Sequence, residues 1–208
     1  MGSRDSDLDD DLTEEDTLAV NRLVFEIHSY NCFFALRRVI DLRQLSTHLL
    51  NAEYNPRQPV ARLRFMEPQC CISVSRGGGC TIFGCTTMEA AHLAAAIFLK
   101  LLKTIGISVP NCSALSMLSL SCTTDLGFCV QLDRAQLKLS GSVYEPEIMP
   151  SLRYNARDGK GKEVGCSVFA NGRITIVGAT SIDSARNAVR EAYGVLRRHA
   201  LPYSHVRN

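Results

Sequence analysis

At 208 residues and 46% apolar side chains, the chain has enough material for a real hydrophobic core, as one domain or two tightly joined halves. No apolar run approaches the roughly 20 residues needed to cross a bilayer, and Met1–Leu18 is too acidic for a signal peptide, so membrane and exported classes are set aside. The net charge of +2 hides an uneven distribution: residues 1–17 hold eight acids against Arg4, leaving 22 bases against 13 acids in the rest. A body at +9 suits a polyanionic partner without identifying one.

An acidic disordered tail is expected over residues 1–18, either as a solubilising segment or as a cover for a basic surface (Asp5, Asp7, Asp9, Asp10, Asp11, Glu14, Glu15, Asp16). Cys71–Ser75 and Cys80–Gly84 alternate around Arg76-Gly77-Gly78-Gly79 and predict a hairpin. That glycine run is no phosphate cradle, because no Gly-Lys-Ser/Thr follows it and a strand comes next. Met88–Ile105 reads as a helix, with Thr86-Thr87 before it, Glu89 in its first turn and Gly106 at its end. It is apolar almost all round, which predicts more than one covered face. A second hairpin, Cys166–Phe169 with Arg173–Gly178, turns at Ala170-Asn171-Gly172, and Asn-Gly is a strong hairpin signal. A second long helix, Ile182–His199, follows Ser181 and ends before Pro202; Arg186, Arg190, Glu191, Arg197 and Arg198 predict a solvated outer side.

These elements say nearly the same thing twice. Tyr54-Asn55-Pro56 and Tyr144-Glu145-Pro146 lie 90 positions apart, and Ser73-Val74 recurs as Ser167-Val168 at a spacing of 94. At that spacing Gly78, Ile82, Gly84 and Thr86 meet Gly172, Ile176, Gly178 and Thr180, and Ala91, Ala94 and Leu102 meet Ala185, Ala188 and Leu196. Turn glycines in register point to two copies of one supersecondary unit, each reading strand, short helix, strands, long helix. Strand alternation places Ile72, Val74, Ile82, Val168, Ile174 and Ile176 under the helices. Ser73, Ser75, Thr81, Phe83, Ser167, Phe169, Thr175 and Val177 then share the opposite face, which is either an ordinary solvated face or a binding surface.

The nine cysteines contain no Cys-x-x-Cys and sit mostly in apolar strand patterns, so a reduced, core-packing role is expected, without zinc or any other cofactor. His28, His48, His92, His199 and His205 are scattered without a carboxylate or cysteine at catalytic spacing, and an enzyme is not expected.

Asn51-Ala52-Glu53-Tyr54-Asn55-Pro56, Glu67-Pro68 and Tyr144-Glu145-Pro146-Glu147, with both hairpins and both helices, resemble the TATA-box-binding protein (TBP) family over about Tyr30 to His199. The resemblance implies an α+β fold, a TBP-like saddle: a curved antiparallel sheet from two pseudo-symmetric repeats (19–110 and 111–201, with a C-terminal tail at 202–208) and two long helices on the convex face. It also implies that the sheet underside lies in the minor groove of promoter DNA and wedges phenylalanines between base steps. Here those ring positions fall on Pro59, Ser75, Met149 and Phe169, so only Phe169 is kept. Asn31 matches a groove asparagine, whose second-repeat counterpart falls on Met117. Ser73, Thr81, Phe83, Ser167, Thr175 and Val177 take other groove positions. Of the phosphate-meeting bases Arg57, Arg64 and Arg173 match, whereas Gln58, Gly79, Thr86, Asn155 and Thr180 replace cations. Tyr144, Glu145, Glu147 and Ile148 match the turn that meets transcription factor IIB in this family, or they simply build a turn. The implied protein is a nuclear, TBP-related initiation factor with weakened or altered minor-groove contact. Its expected partners are IIB-like and IIA-like general factors, and an extra partner on the apolar first long helix. The alternative is a scaffold of the same fold that no longer binds DNA.

Overall fold

The computed structural model describes residues 12–157 and 161–201, so the aspartates at 5–11 and the expected tail at 202–208 lie outside the described residues. In chain order the elements are α1 (Glu14–Arg22), β1 (Glu26–Ala35), α2 (Leu42–His48), β2 (Ala52–Tyr54), β3 (Val60–Met66), β4 (Gln69–Ser75), β5 (Gly79–Cys85) and α3 (Met88–Thr104). There follow β6 (Ser116–Asp125), β7 (Cys129–Val130), α4 (Leu132–Lys138), β8 (Ser151–Arg157), β9 (Glu163–Phe169), β10 (Arg173–Ala179), α5 (Ile182–Arg198) and β11 (Ala200–Leu201). The α+β class, the antiparallel strand pairs and the two long helices are those the sequence implies.

The chain divides into two units: Ile27–Ser121, and the residues from Cys122 onward together with those up to Glu26. In the first, the strand order is β2-β3-β4-β5-β1 followed by the start of β6; in the second, the end of β6 is followed by β10-β9-β8. The second unit also holds a small β11-β7 pair, with Ala200 opposite Val130.

Each unit is built on one apolar stripe against one sheet face. In α3, Thr87 caps the first turn by accepting from the Ala90 amide, and Ala91, Ala94, Phe98 and Leu102 are fully buried at helical spacing. In α5, Ser181 accepts from the Ser184 amide, and Ala185, Ala188, Ala192 and Leu196 form the equivalent stripe. Beneath them Ile72, Val74 and Ile82 in one unit, and Val168, Ile174 and Ile176 in the other, are fully buried. Aromatic pairs close each core edge to face: Phe34 with Phe98 at 6.4 Å, and Phe128 with Tyr193 at 5.9 Å.

The glycine register has a steric cause. At Gly78 and Gly172 φ is +85° and +87°, and an added Cβ would sit 2.2 Å from the Arg38 carbonyl oxygen and 2.0 Å from that of Phe128. The chain leaving the unit's first strand lies against the hairpin turn there, fixed by Leu36 N to Gly78 O (2.8 Å) and Leu126 N to Gly172 O (3.1 Å).

Three expectations need correction. Where a disordered tail was expected through residue 18, a helix starts at Glu14, with Thr13 accepting from the Asp16 amide and Val20 fully buried. The outer side of α5 is not simply solvated, because α1 packs on it and Arg186 reaches the end of α1. Within its unit α3 buries one stripe and not two; His92, Leu93, Ala96, Lys100 and Lys103 are exposed, Leu93 by 54%.

Candidate nucleic-acid interface

Strand register decides which side chains stand together on the helix-free faces. In the first unit Glu53 faces Arg62, Arg62 faces Ser73, Ser73 faces Thr81, and Thr81 faces Phe33, a row that runs across five strands from β2 to β1. Beside it run the Val60–Ser75 pair and the Arg64–Cys71–Phe83 row. Phe83 is 42% exposed, and the serines and Thr81 are half-buried. In the second unit Val143, Arg153, Ser167 and Thr175 form the matching row, with Asn155–Gly165–Val177 on one side and Ser151–Phe169 on the other. The helix-free faces thus carry the same Arg–Ser–Thr row once per unit.

The predicted residues fall as follows. Ser73, Ser75, Thr81 and Phe83 are brought together on one face, and Ser167, Phe169, Thr175 and Val177 on the other. Phe169 is half-buried, whereas Met149 is 42% and Val177 51% exposed. The Asn31 side chain donates to Ser119 Oγ at 3.1 Å. Arg57 follows the Asn-Pro turn, its amide donating to Asn55 Oδ1 at 3.0 Å, and the Arg173 amide donates to Asn171 Oδ1 at the second hairpin turn. Arg64 meets Glu53 at 3.8 Å; with side chains 72% and 69% exposed, this pair adds little stability and leaves the guanidinium free to exchange partners. At the turn that follows Tyr144 the Ile148 and Met149 amides donate to the Glu145 carbonyl at 3.0 and 2.8 Å, and Glu145, Glu147 and Ile148 are exposed, Ile148 by 77%.

Three residues of these faces escape the sequence reading. Arg62 and Arg153 are exposed, stand in the equivalent rows, and have no ion pair or side-chain hydrogen bond among the described residues. Their signal was alternation: Ala61 and Leu63, and Leu152 and Tyr154, are buried on either side of them. Phe33, between buried Cys32 and Phe34, lays its ring beside Gly79, where an added Cβ would lie 3.3 Å from Phe33 Cε2 and 3.1 Å from Ser75 Oγ. A ring therefore stands next to Ser75, on a different strand from the one that the family pattern uses.

Burial pushes the thiols of Cys80 and Cys166 up to about 12 and that of Cys122 up to about 11, so they stay protonated at neutral pH. Among the described residues no group of three His, Cys, Asp or Glu side chains could hold a metal ion.

The family model described as "Transcription factor TFIID (or TATA-binding protein, TBP)" matches residues 24–105 and 116–199. The chain belongs to the TATA-binding protein family. Similar proteins include the TATA-box-binding protein of Methanocaldococcus jannaschii, 31% identical over 159 residues that make up 76% of this chain and 85% of that one. The TATA-box-binding protein of Archaeoglobus fulgidus is 32% identical over 161 residues, 76% of this chain and 86% of its own. Among solved structures, Methanococcus jannaschii TBP superposes with a TM-score of 0.73 at 28% identity, covering 84% of this chain and 98% of that one. The fold is therefore the TBP fold, and the family is one of transcription factors, not of enzymes.

Proposed function

We propose that this TBP-family protein is a nuclear transcription initiation factor that engages promoter DNA through its helix-free sheet faces and nucleates a complex with general factors. The duplicated Arg–Ser–Thr row carries the reading. A wedge must unstack bases with a large apolar surface, which Ser75 lacks and Pro59 offers only in part. An arginine in the same groove works differently: it is drawn to the negative potential of a narrow, A·T-rich minor groove and needs no unstacking. Arg62 and Arg153 are the groove readers in this proposal, flanked by Ser73, Thr81, Ser167 and Thr175 as hydrogen-bonding neighbours, while Arg57, Arg64 and Arg173 meet phosphates. The relatives named for TATA-box binding support a DNA target.

Binding of an A·T-rich duplex across a salt series tests this directly. Three phosphate contacts give a slope of about −3 in log K against log salt. A flat, negligible response would instead favour a scaffold that keeps the fold without touching DNA, a reading that draws on the missing rings. In the same assay Phe169→Ala is expected to weaken binding about tenfold, and Phe83→Ala less, if the retained ring still inserts. Equal, negligible losses would mean that it no longer wedges.

The turn at Tyr144, Glu145, Glu147 and Ile148 is assigned to a IIB-like factor, with a IIA-like factor elsewhere on the protein. The exposed side of α3, with Leu93 and Ala96 beside Lys100 and Lys103, is assigned to a further protein partner. Charge reversal at Glu145 and Glu147 together should abolish recruitment of the IIB-like factor to a DNA complex while leaving affinity for bare DNA within about twofold. Loss of both at once would remove the assignment.

A further inference from the structure

Helix α1 is a poor candidate for a permanent part of the second unit. Its nine residues are too few to stay helical alone in water, and only Val20 is fully buried. It runs antiparallel to α5: Leu12 Cδ2 lies 3.8 Å from where a Cβ on Gly194 would be, while the far end of α1 meets Arg186, two turns earlier in α5. Arg186 Nη1 donates to the carbonyls of Val20 (2.9 Å), Asn21 (2.9 Å) and Leu23 (3.2 Å) at the helix end, the first of which also accepts from the Leu23 amide, and the guanidinium sits 5.0 Å over the Phe25 ring. Arg190 Nη2 donates to Asn21 Oδ1 at 2.9 Å. The bonds that these two arginines make outside α5 all go to residues 20–23.

The fit is incomplete at one atom. Arg190 Nε is buried and has no acceptor among the described residues. A neutral amide, Asn21, faces a guanidinium whose planar fork matches a carboxylate with two parallel bonds. The face of α5 is thus built for an anion that α1 does not supply, although α1 carries Glu14, Glu15 and Asp16 in its first turn.

We propose that the outer face of α5 is a docking site for an acidic helix of a partner protein, and that α1 is its occupant in cis. The partner helix has the chemistry of α1 with one improvement: acids in the first turn, helix-end carbonyls over Arg186, and an Asp or Glu reaching Arg190 where α1 has Asn21. Its arrival displaces α1. The proposal does not depend on DNA binding.

Two measurements on the full chain test it. In the wild-type protein, hydrogen exchange of the α1 amides is expected to run at least a hundredfold faster than that of β9, as befits a releasable strap. In fluorescence anisotropy, a labelled peptide of residues 12–25 carrying Asn21→Asp should bind the wild-type chain about tenfold more tightly than the native peptide. Arg190→Ala should erase that difference. Asn21→Asp placed in the chain itself strengthens the strap and should weaken the labelled peptide about tenfold. Exchange in α1 as slow as in β9 would overturn the proposal by making α1 integral. Equal binding of the two peptides, or a peptide affinity indifferent to Asn21→Asp in the chain, would overturn it as well.

Discussion

Alanine at both Arg62 and Arg153 is expected to lower affinity for an A·T-rich duplex by about 100-fold or more at fixed salt, each single change costing about tenfold. These two guanidiniums stand on the helix-free faces without an ion pair among the described residues, so no carboxylate among those residues competes for them. Lysine is the informative control. It keeps the charge but loses the planar fork, so a phosphate contact survives Arg→Lys and a groove contact does not. The preference for A·T-rich over G·C-rich duplex should fall with the double alanine change, because a narrow groove attracts the cation that reads it. Anisotropy titrations with both duplexes at one ionic strength decide the matter, and wild-type affinity in the double variant would refute the groove assignment.

Gly172→Ala is expected to destabilise the fold by about 3–5 kcal/mol, a drop of roughly 10 °C in the melting temperature. Two costs combine. At φ of +87° a Cβ is strained by itself, and here it would also lie 2.0 Å from the Phe128 carbonyl oxygen, which is backbone and cannot rotate away. Gly178→Ala separates the two: φ is +92°, but the nearest atom, Glu163 O, lies 3.7 Å from the added carbon. It should cost only the conformational share, about 1–2 kcal/mol. Thermal melts of both variants in reductant check the contrast, and a Gly172→Ala melt within about 2 °C of wild type would mean that the turn and the Phe128 strand end are not in contact.

The parts of this molecule written as periodicity were legible. Both hairpins, both long helices to within a residue at their ends, their Thr87 and Ser181 caps and the two faces of the strands follow from alternation, spacing and turn chemistry. What escaped depends on partners that leave no compositional mark. Thr13-Glu14-Glu15-Asp16 reads as acidic tail by charge, yet Thr13 and Asp16 hold each other across the first turn and a single valine anchors the helix. Arg186 reads as a solvated surface cation because its acceptors are backbone carbonyls, whose positions no side-chain pattern announces. Arg62, Arg153 and Phe33 were hidden differently. The alternation that places Ser73 and Ser167 on the open face places them there too, but they stand at positions that the family pattern does not hold.

Seven of the nine cysteines are buried in the cores and all nine are free. While the fold holds, oxidants reach little sulfur, and solvent exclusion keeps even Cys70 and Cys80, pushed up to about 12, from ionising. Opening the molecule reverses this at a stroke, for a loosened chain offers all its thiols to one another and to its neighbours. In air such a chain is trapped in scrambled pairings and does not return, so the durability of this factor outside a reducing cell is set by how seldom it opens and not by how stable it is at equilibrium.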